Sequence, residues 1–199
     1  MNYNPEKHHR HSIRLKGYDY RQGGAYYVTI CCHQRRFLLG EIVSGVMHSN
    51  HIGATVQAVW DSLPHHFPFL ELDAFVVMPN HIHGILVIVE NYSEASVPED
   101  NDTPLIFSQR KISPKPAEQT IPPRGTLAGS LGAIIQNFKS VTTRRVNRLT
   151  GNKATIWQRN YYEKIIQNKT AYQNIRRYIM ENPLNWNEDE HNPSNKINK

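Results

Sequence analysis

His81 and His83 stand one residue apart at the head of an apolar, β-branched run, HIHGILVIVE. On a strand, positions i and i+2 share a face, so the two imidazoles project side by side. Two neutral imidazoles at that spacing can chelate one divalent cation. Pro79 and Asn80 before them predict a turn that sets the pair at the strand entrance, open to solvent and substrate. The plainer alternative is a pair of half-exposed histidines satisfied by backbone or water. A histidine-triad hydrolase would need His where Ile85 stands, and a metallo-β-lactamase-like site would need an acid after the pair. A structural zinc site would need further Cys or His at short spacing. Any third ligand must come from elsewhere in the chain, leaving open coordination positions of the kind that suit catalysis on a phosphate.

A second set of residues lies in NKTAYQNIRRYIMENPLNW (168–186), which reads as a final helix that stops before Pro183. Tyr178 and Asn182 are spaced i, i+4 and share one face of it. Asn182 offers a carbonyl oxygen to a hard cation. Tyr178 offers a phenol beside it, and a phenolate attacks phosphorus well when a cation favours its ionised form. Arg176 and Arg177 flank the tyrosine and could hold phosphates. Ten tyrosines are present, and most tyrosines on helices only pack. Tyr161, Tyr162 and Tyr172 are the rival nucleophiles. Tyr172 sits about 120° away from Tyr178 around a 3.6-residue helix, so both cannot face one metal.

These groups need a frame. GAYYVTICCHQRR reads as a strand with Tyr26, Val28, Ile30 and Cys32 on one face and Tyr27, Thr29 and Cys31 on the other. HSNHIGATVQAVWDSLPHHF (48–67) reads as a helix ended by Pro64, and LDAFVVMP and HIHGILVIVE read as a strand pair. Apolar residues on both faces of the second of these make it a central strand covered on each side. TLAGSLGAIIQNFKSVTTRRVNRLTG (126–151) predicts a long amphipathic helix with Leu127, Leu131, Ile134, Phe138 and Val141 as its stripe. TIWQRNYYEKIIQN reads as a strand with an irregular start. The order β, α, β-β, α, β, α implies a ferredoxin-like α+β sandwich: a mainly antiparallel sheet, two helices on one face, and an extra C-terminal helix. Residues 1–16 read as a basic arm, 17–186 as one catalytic domain, 91–124 as a mobile acidic and Pro-rich insertion, and 187–199 as a polar tail.

Charge is distributed unevenly. Between Arg124 and Arg177 eleven Lys and Arg face a single acid, Glu163, and Arg outnumbers Lys seven to four. That is the footprint of a polyanion, and Arg is the better fork for phosphate. Cys31 and Cys32 are adjacent in a strand and point to opposite faces, so no disulfide framework is expected and a reducing cytoplasm is the natural setting. No run is long enough to cross a bilayer and the N-terminus lacks an apolar signal core.

Three segments in this order, VVMPNHIHGIL, GSLGAIIQNFKSVTTRRVN and IWQRNYYEKIIQN…YQNIRRYIMENPLNW, closely resemble the single-tyrosine HUH transposases, and more narrowly their REP-associated tyrosine transposase branch. RLKGYDYRQGGAYYVTICCHQRR also resembles that branch, so the likeness spans Arg14 to Trp186 outside the insertion. The resemblance implies that His81 and His83 are ligands for Mg²⁺ or Mn²⁺, Asn182 the third ligand, and Tyr178, five residues before Pro183, the nucleophile. It implies cleavage and rejoining of single-stranded, hairpin-forming DNA through a 5′-phosphotyrosine, without a nucleotide cofactor, by a monomer or homodimer in the bacterial cytoplasm. Arg144, Arg145 and Arg148, with Lys139, Arg159, Arg176 and Arg177, would contact DNA. Two other readings stay open on the residues alone: a catalytically silent binder of hairpin DNA or RNA, and a metal-dependent phosphodiesterase that uses water.

Overall fold

The computed structural model describes residues 19–89 and 126–196. The basic arm at 1–16 and the insertion at 91–124 lie outside the described residues. In chain order the elements are β1 (Gly24–Cys31), β2 (Gly40–Val43), β3 (Val46–Ser49), α1 (His51–Asp61), a helical turn at Leu63–His66, β4 (Leu70–Met78), β5 (His81–Ile88), α2 (Leu131–Thr150), β6 (Tyr162–Ile166) and α3 (Lys169–Glu181). Four strands form one antiparallel sheet in the order β4-β5-β1-β6. This is the expected α+β sandwich, with β5 and β1 as its two central strands. No helix among the described residues is long and apolar enough to cross a membrane.

Strand alternation divides the core in two. Tyr26, Val28, Ile30 and Cys32 of β1 and its exit, with Ile82, Leu86 and Ile88 of β5, pack under α1 and α2 against Val56, Trp60, Ile134 and Phe138. Ala25 and Tyr27 of β1 and Ile85 and Val87 of β5 face the other way, against Tyr172 and Ile179 of α3. His81 and His83 therefore share the α3 side, while the basic helix α2 covers the opposite face. Every residue of β5 is buried, as expected for a strand covered on both sides. Cys31 and Cys32 are buried free thiols.

Gly84 explains why the strand tolerates a large neighbour. A Cβ there would lie 2.4 Å from Cζ2 of Trp60, which is fully buried and stacks on Phe75 with ring centroids 4.4 Å apart. We expect Gly84→Ala to lower stability by about 1–3 kcal/mol, the usual penalty for overpacking a dense core. Urea unfolding at unchanged m-value measures it, and an unchanged midpoint would show that Trp60 yields freely.

Several boundaries differ from the sequence reading. Leu127 is not part of the α2 stripe: Gly129 takes a left-handed turn at φ +73°, and Ser130 caps the helix by accepting the Ala133 N–H at 3.3 Å. Helix α1 starts later than expected, because Asn50 accepts the N–H groups of Ile52 and Gly53 at 2.9 and 3.0 Å. Pro64 does not end α1 but opens the next helical turn, where a missing N–H is no loss. The β2–β3 hairpin was not foreseen. Its turn at Ser44 and Gly45 has φ of +52° and +77°, as a two-residue hairpin loop of mirror-image type requires, and that Ser-Gly pair was its only local sign.

Candidate active site

The antiparallel register sets Thr29 of β1 directly opposite His83 of β5, and Cys31 opposite His81. Thr29 Oγ1 donates to Tyr27 Oη at 3.1 Å, and both oxygens lie close to His83 Nδ1, at 2.8 and 2.7 Å. With the threonine proton committed to Tyr27, His83 Nδ1–H is the donor to Thr29. On the neighbouring ring, His81 Nδ1 meets Asn80 Oδ1 at 2.8 Å, while Asn80 Nδ2 donates to the carbonyls of His191 and Arg35 at 2.9 and 3.3 Å. That amide orientation makes His81 Nδ1–H a donor too. Both neutral rings then turn a bare Nε2 lone pair inward, and the two Nε2 atoms are 3.0 Å apart.

The pair is not at an open entrance, as the sequence suggested: both histidines are completely buried. The segment 187–196, read from sequence as a polar tail, folds back over them in turns and short 3₁₀ helices, and its Asp189, His191 and Asn192 are themselves buried. Burial, with neighbouring His191 acting in the same direction, pushes His83 down to about 3. Burial first, then the neighbouring His83, His191 and Arg35, holds His81 well below the ordinary imidazole range. Both rings therefore stay neutral, as metal ligands must.

Helix α3 brings the second set. Asn168 caps it by accepting the Ala171 N–H at 2.8 Å, and Tyr178 emerges with its ring centroid 5.4 Å from that of His83. The ring is edge-on to Tyr27 and 43% exposed. Burial raises the Tyr178 phenol above its ordinary range and Asp189 adds to the rise, while hydrogen bonds involving Asn182 and Tyr27 pull the other way. Asn182 is buried at the helix end; its Nδ2 donates to Asp189 Oδ2 at 3.2 Å, whereas its Oδ1 is buried without a hydrogen-bond partner. An unpaired buried carbonyl carries a real desolvation penalty, which a cation would relieve.

Sequence reasoning missed Asp189 and His191. Among the described residues His81, His83 and His191 form a group that could hold a metal ion, with ligand atoms within 4.8 Å of one another. His191 Nδ1 accepts from Arg35 Nη1 at 2.9 Å, so in this arrangement the neutral ring carries its proton on Nε2. Arg35 and Gln34 both have left-handed backbone, at φ +53° and +56°, a strained turn that presents the guanidinium to this ring. Asp189 Oδ1 accepts the His191 N–H at 2.6 Å, and Oδ2 lies 3.9 Å from His81 Nε2. Asp189 thus orients the Asn182 amide and closes the site with a negative charge. Three acids and a histidine in WNEDEHNPS (186–194), after a helix stop, were the available sign, but nothing local ties them to β5.

Two of the rival tyrosines, Tyr161 and Tyr172, are placed apart from the histidine cluster, whereas Tyr162 lines the same cavity as Tyr178. Tyr172 is buried and donates to Asp73, which also pairs with Arg176 at 3.1 Å. Tyr161 precedes β6 and packs against the larger core, while Tyr162 is on β6, on the Tyr27 side. Arg144, Arg145, Arg148 and Arg159 are exposed on and beside α2, and Arg177 is exposed on α3. Lys139 instead directs its ammonium at the carbonyls of Gln158, Arg159 and Asn160, and burial lowers it to about 8. With Ser140, Thr143, Arg144 and Arg159 it lines a groove of about 400 Å³ on the α2 side.

No protein-family model matches the chain. An uncharacterized protein of Haemophilus influenzae is 38% identical over 188 residues, 94% of this chain and 96% of that one. The structure of a REP-associated tyrosine transposase bound to a REP hairpin superposes with a TM-score of 0.51 at 19% identity, over 87% of this chain and 73% of that one. A crystal structure from Deinococcus radiodurans R1 aligns with a TM-score of 0.42 at 13% identity, over 85% of this chain and 96% of that one. The chain belongs to one family with the Haemophilus influenzae protein and has the fold of a REP-associated tyrosine transposase.

Proposed function

We propose that the protein is a single-tyrosine HUH transposase that cuts and rejoins single-stranded, hairpin-bearing DNA in the bacterial cytoplasm. One observation carries this reading. Two buried imidazole lone pairs 3.0 Å apart lie beside a half-exposed tyrosine phenol, and Asp189 links them to Asn182, whose Oδ1 is orphaned. Those donors fit a mixed nitrogen and oxygen site for Mn²⁺ or Mg²⁺, held by His81 Nε2, His83 Nε2 and Asn182 Oδ1. When bound, such a cation supplies positive charge that polarises the scissile phosphate and favours the ionised phenol.

The chain's own groups do the rest. Tyr178 Oη attacks phosphorus, its proton leaving to solvent; the Oη–P bond forms as the P–O3′ bond breaks, and the departing oxygen takes up a proton to become a free 3′-OH. The phosphotyrosine conserves the phosphodiester bond energy, so attack by a 3′-OH restores the strand and returns the phenol. Tyr27, which accepts from Thr29 beside His83, holds the Tyr178 ring edge-on. The substrate should be unpaired at the cut, since a tyrosine seated against a sheet needs a bendable backbone. The hairpin bound by the transposase of like fold supports a hairpin beside that cut. The test is incubation with a labelled hairpin oligonucleotide carrying a single-stranded flank, in Mn²⁺. A covalent protein–DNA adduct that survives denaturation is expected. Cleavage without an adduct would favour a water-using phosphodiesterase, and binding without cleavage a silent binder.

We further propose that Arg144, Arg145 and Arg148 hold stem phosphates from the opposite face of the sheet. Neutralising each should weaken binding to all hairpins about equally and shrink the salt slope by about 0.9 per lost contact. Salt titrations of binding measure this. A changed sequence preference at constant slope would show that α2 reads bases instead.

A further inference from the structure

Beside Tyr178 lies a cavity of about 450 Å³ that the mechanism above does not use. Tyr27, Thr29, Tyr162, Lys164, Ile175 and Tyr178 line it, together with Glu190 and His191. Tyr162 is 48% exposed and Tyr178 43%, so two aromatic faces are left in water at the edge of an otherwise buried cluster. Tyr162 meets the ring of Tyr27 edge-on at 6.2 Å, which fixes its orientation. Alternation along β6 puts Lys164 on the same face two residues on, and β6 is an edge strand of the sheet, so nothing in the sheet covers the pair.

We infer that this cavity is a subsite for one unpaired nucleobase adjacent to the scissile phosphate, stacked on Tyr162 with its own phosphate directed to Lys164. The inference rests on the transposase reading and names what that site takes next to the reacting phosphate. The volume falls within the range of pockets that enclose a small ligand. Every base has a π-face, and stacking on an exposed aromatic ring is the sequence-tolerant way to hold a single strand. Glu190, with a side chain 83% exposed, lines the same cavity as Lys164; its charge repels phosphate, which favours a backbone path along the lysine. A base held here draws the strand past Tyr178, whose phenol opens on the same space.

The test uses the full chain with Mn²⁺ and a hairpin oligonucleotide with a single-stranded flank. Abasic sites are placed one at a time around the mapped cleavage position, and binding and adduct formation are both measured. One abasic position beside the scissile phosphate should weaken binding about tenfold in the wild type. Tyr162→Ala should show the same loss, with no further loss at that abasic position, because ring and base act as a pair. Tyr162→Phe keeps the ring and should restore binding. A hairpin lacking the flank should bind Tyr162→Ala and wild type equally, which also shows that the variant is folded. Wild-type binding of the flanked hairpin by Tyr162→Ala, or losses that simply add, would overturn the subsite. Absence of any adduct in the wild type would instead overturn the transposase reading, and the binding arm would still judge the subsite.

Discussion

Tyr178→Phe is expected to abolish covalent capture of single-stranded DNA, below the detection limit of denaturing electrophoresis, while metal and hairpin binding survive. The substitution removes one oxygen from a ring that remains edge-on to Tyr27 and beside His83, so little packing changes. It removes the atom proposed to bond to phosphorus, and of the rival tyrosines only Tyr162 lines the same cavity. Tyr172 spends its hydroxyl on Asp73 under α3, and Tyr161 packs into the core on the other side of the sheet. Tyr161→Phe and Tyr172→Phe should therefore keep the adduct. Peptide mapping of the trapped complex should find the nucleotide on the peptide containing Tyr178. A nucleotide mapped to Tyr161, Tyr162 or Tyr172 would overturn both this assignment and the role given to Asn182.

His81→Ala and His83→Ala should each reduce cleavage more than about 100-fold and weaken Mn²⁺ binding by a similar factor, since each deletes one of the few donors a buried cation would have. Asn80→Ala should weaken Mn²⁺ binding about tenfold by a different route. Without Asn80 Oδ1 the His81 ring loses the partner that holds its proton on Nδ1. Hairpin binding should be unaffected in all three, because α2 lies on the opposite face of the sheet from these side chains. Calorimetric Mn²⁺ titration and a gel-shift assay read the two properties separately. Cleavage by His83→Ala at the wild-type rate in chelator would sink the metal assignment.

Much of this was legible because it is local. Alternation along GAYYVTICC correctly divided Tyr27 and Thr29 from Tyr26, Val28 and Ile30, and the same period set His81 and His83 side by side. Helical spacing put Tyr178 and Asn182 on one face. Start points were read less well: Ser130 with Gly129 and Asn50 are caps whose effect is conformational, and the apolar stripe ran past them. The β2–β3 hairpin left only a Ser-Gly pair, since four-residue strands with mixed exposure carry no sustained period.

Sequence by itself determined which side chains share a strand face or a helix face, because those relations follow from periods of 2 and 3.6 residues and need no knowledge of the rest of the chain. It thereby determined the α+β sandwich, the paired histidines and the tyrosine above an amide. Only the tertiary structure decided how far the site is closed. Asp189 and His191 reach the histidine pair across a separation of more than a hundred residues, through Asn80 Nδ2 holding the His191 carbonyl and Arg35 holding its ring. No period encodes such contacts. They exist because buried polar atoms must find partners, and the partners nearest to β5 in space come from the far end of the chain.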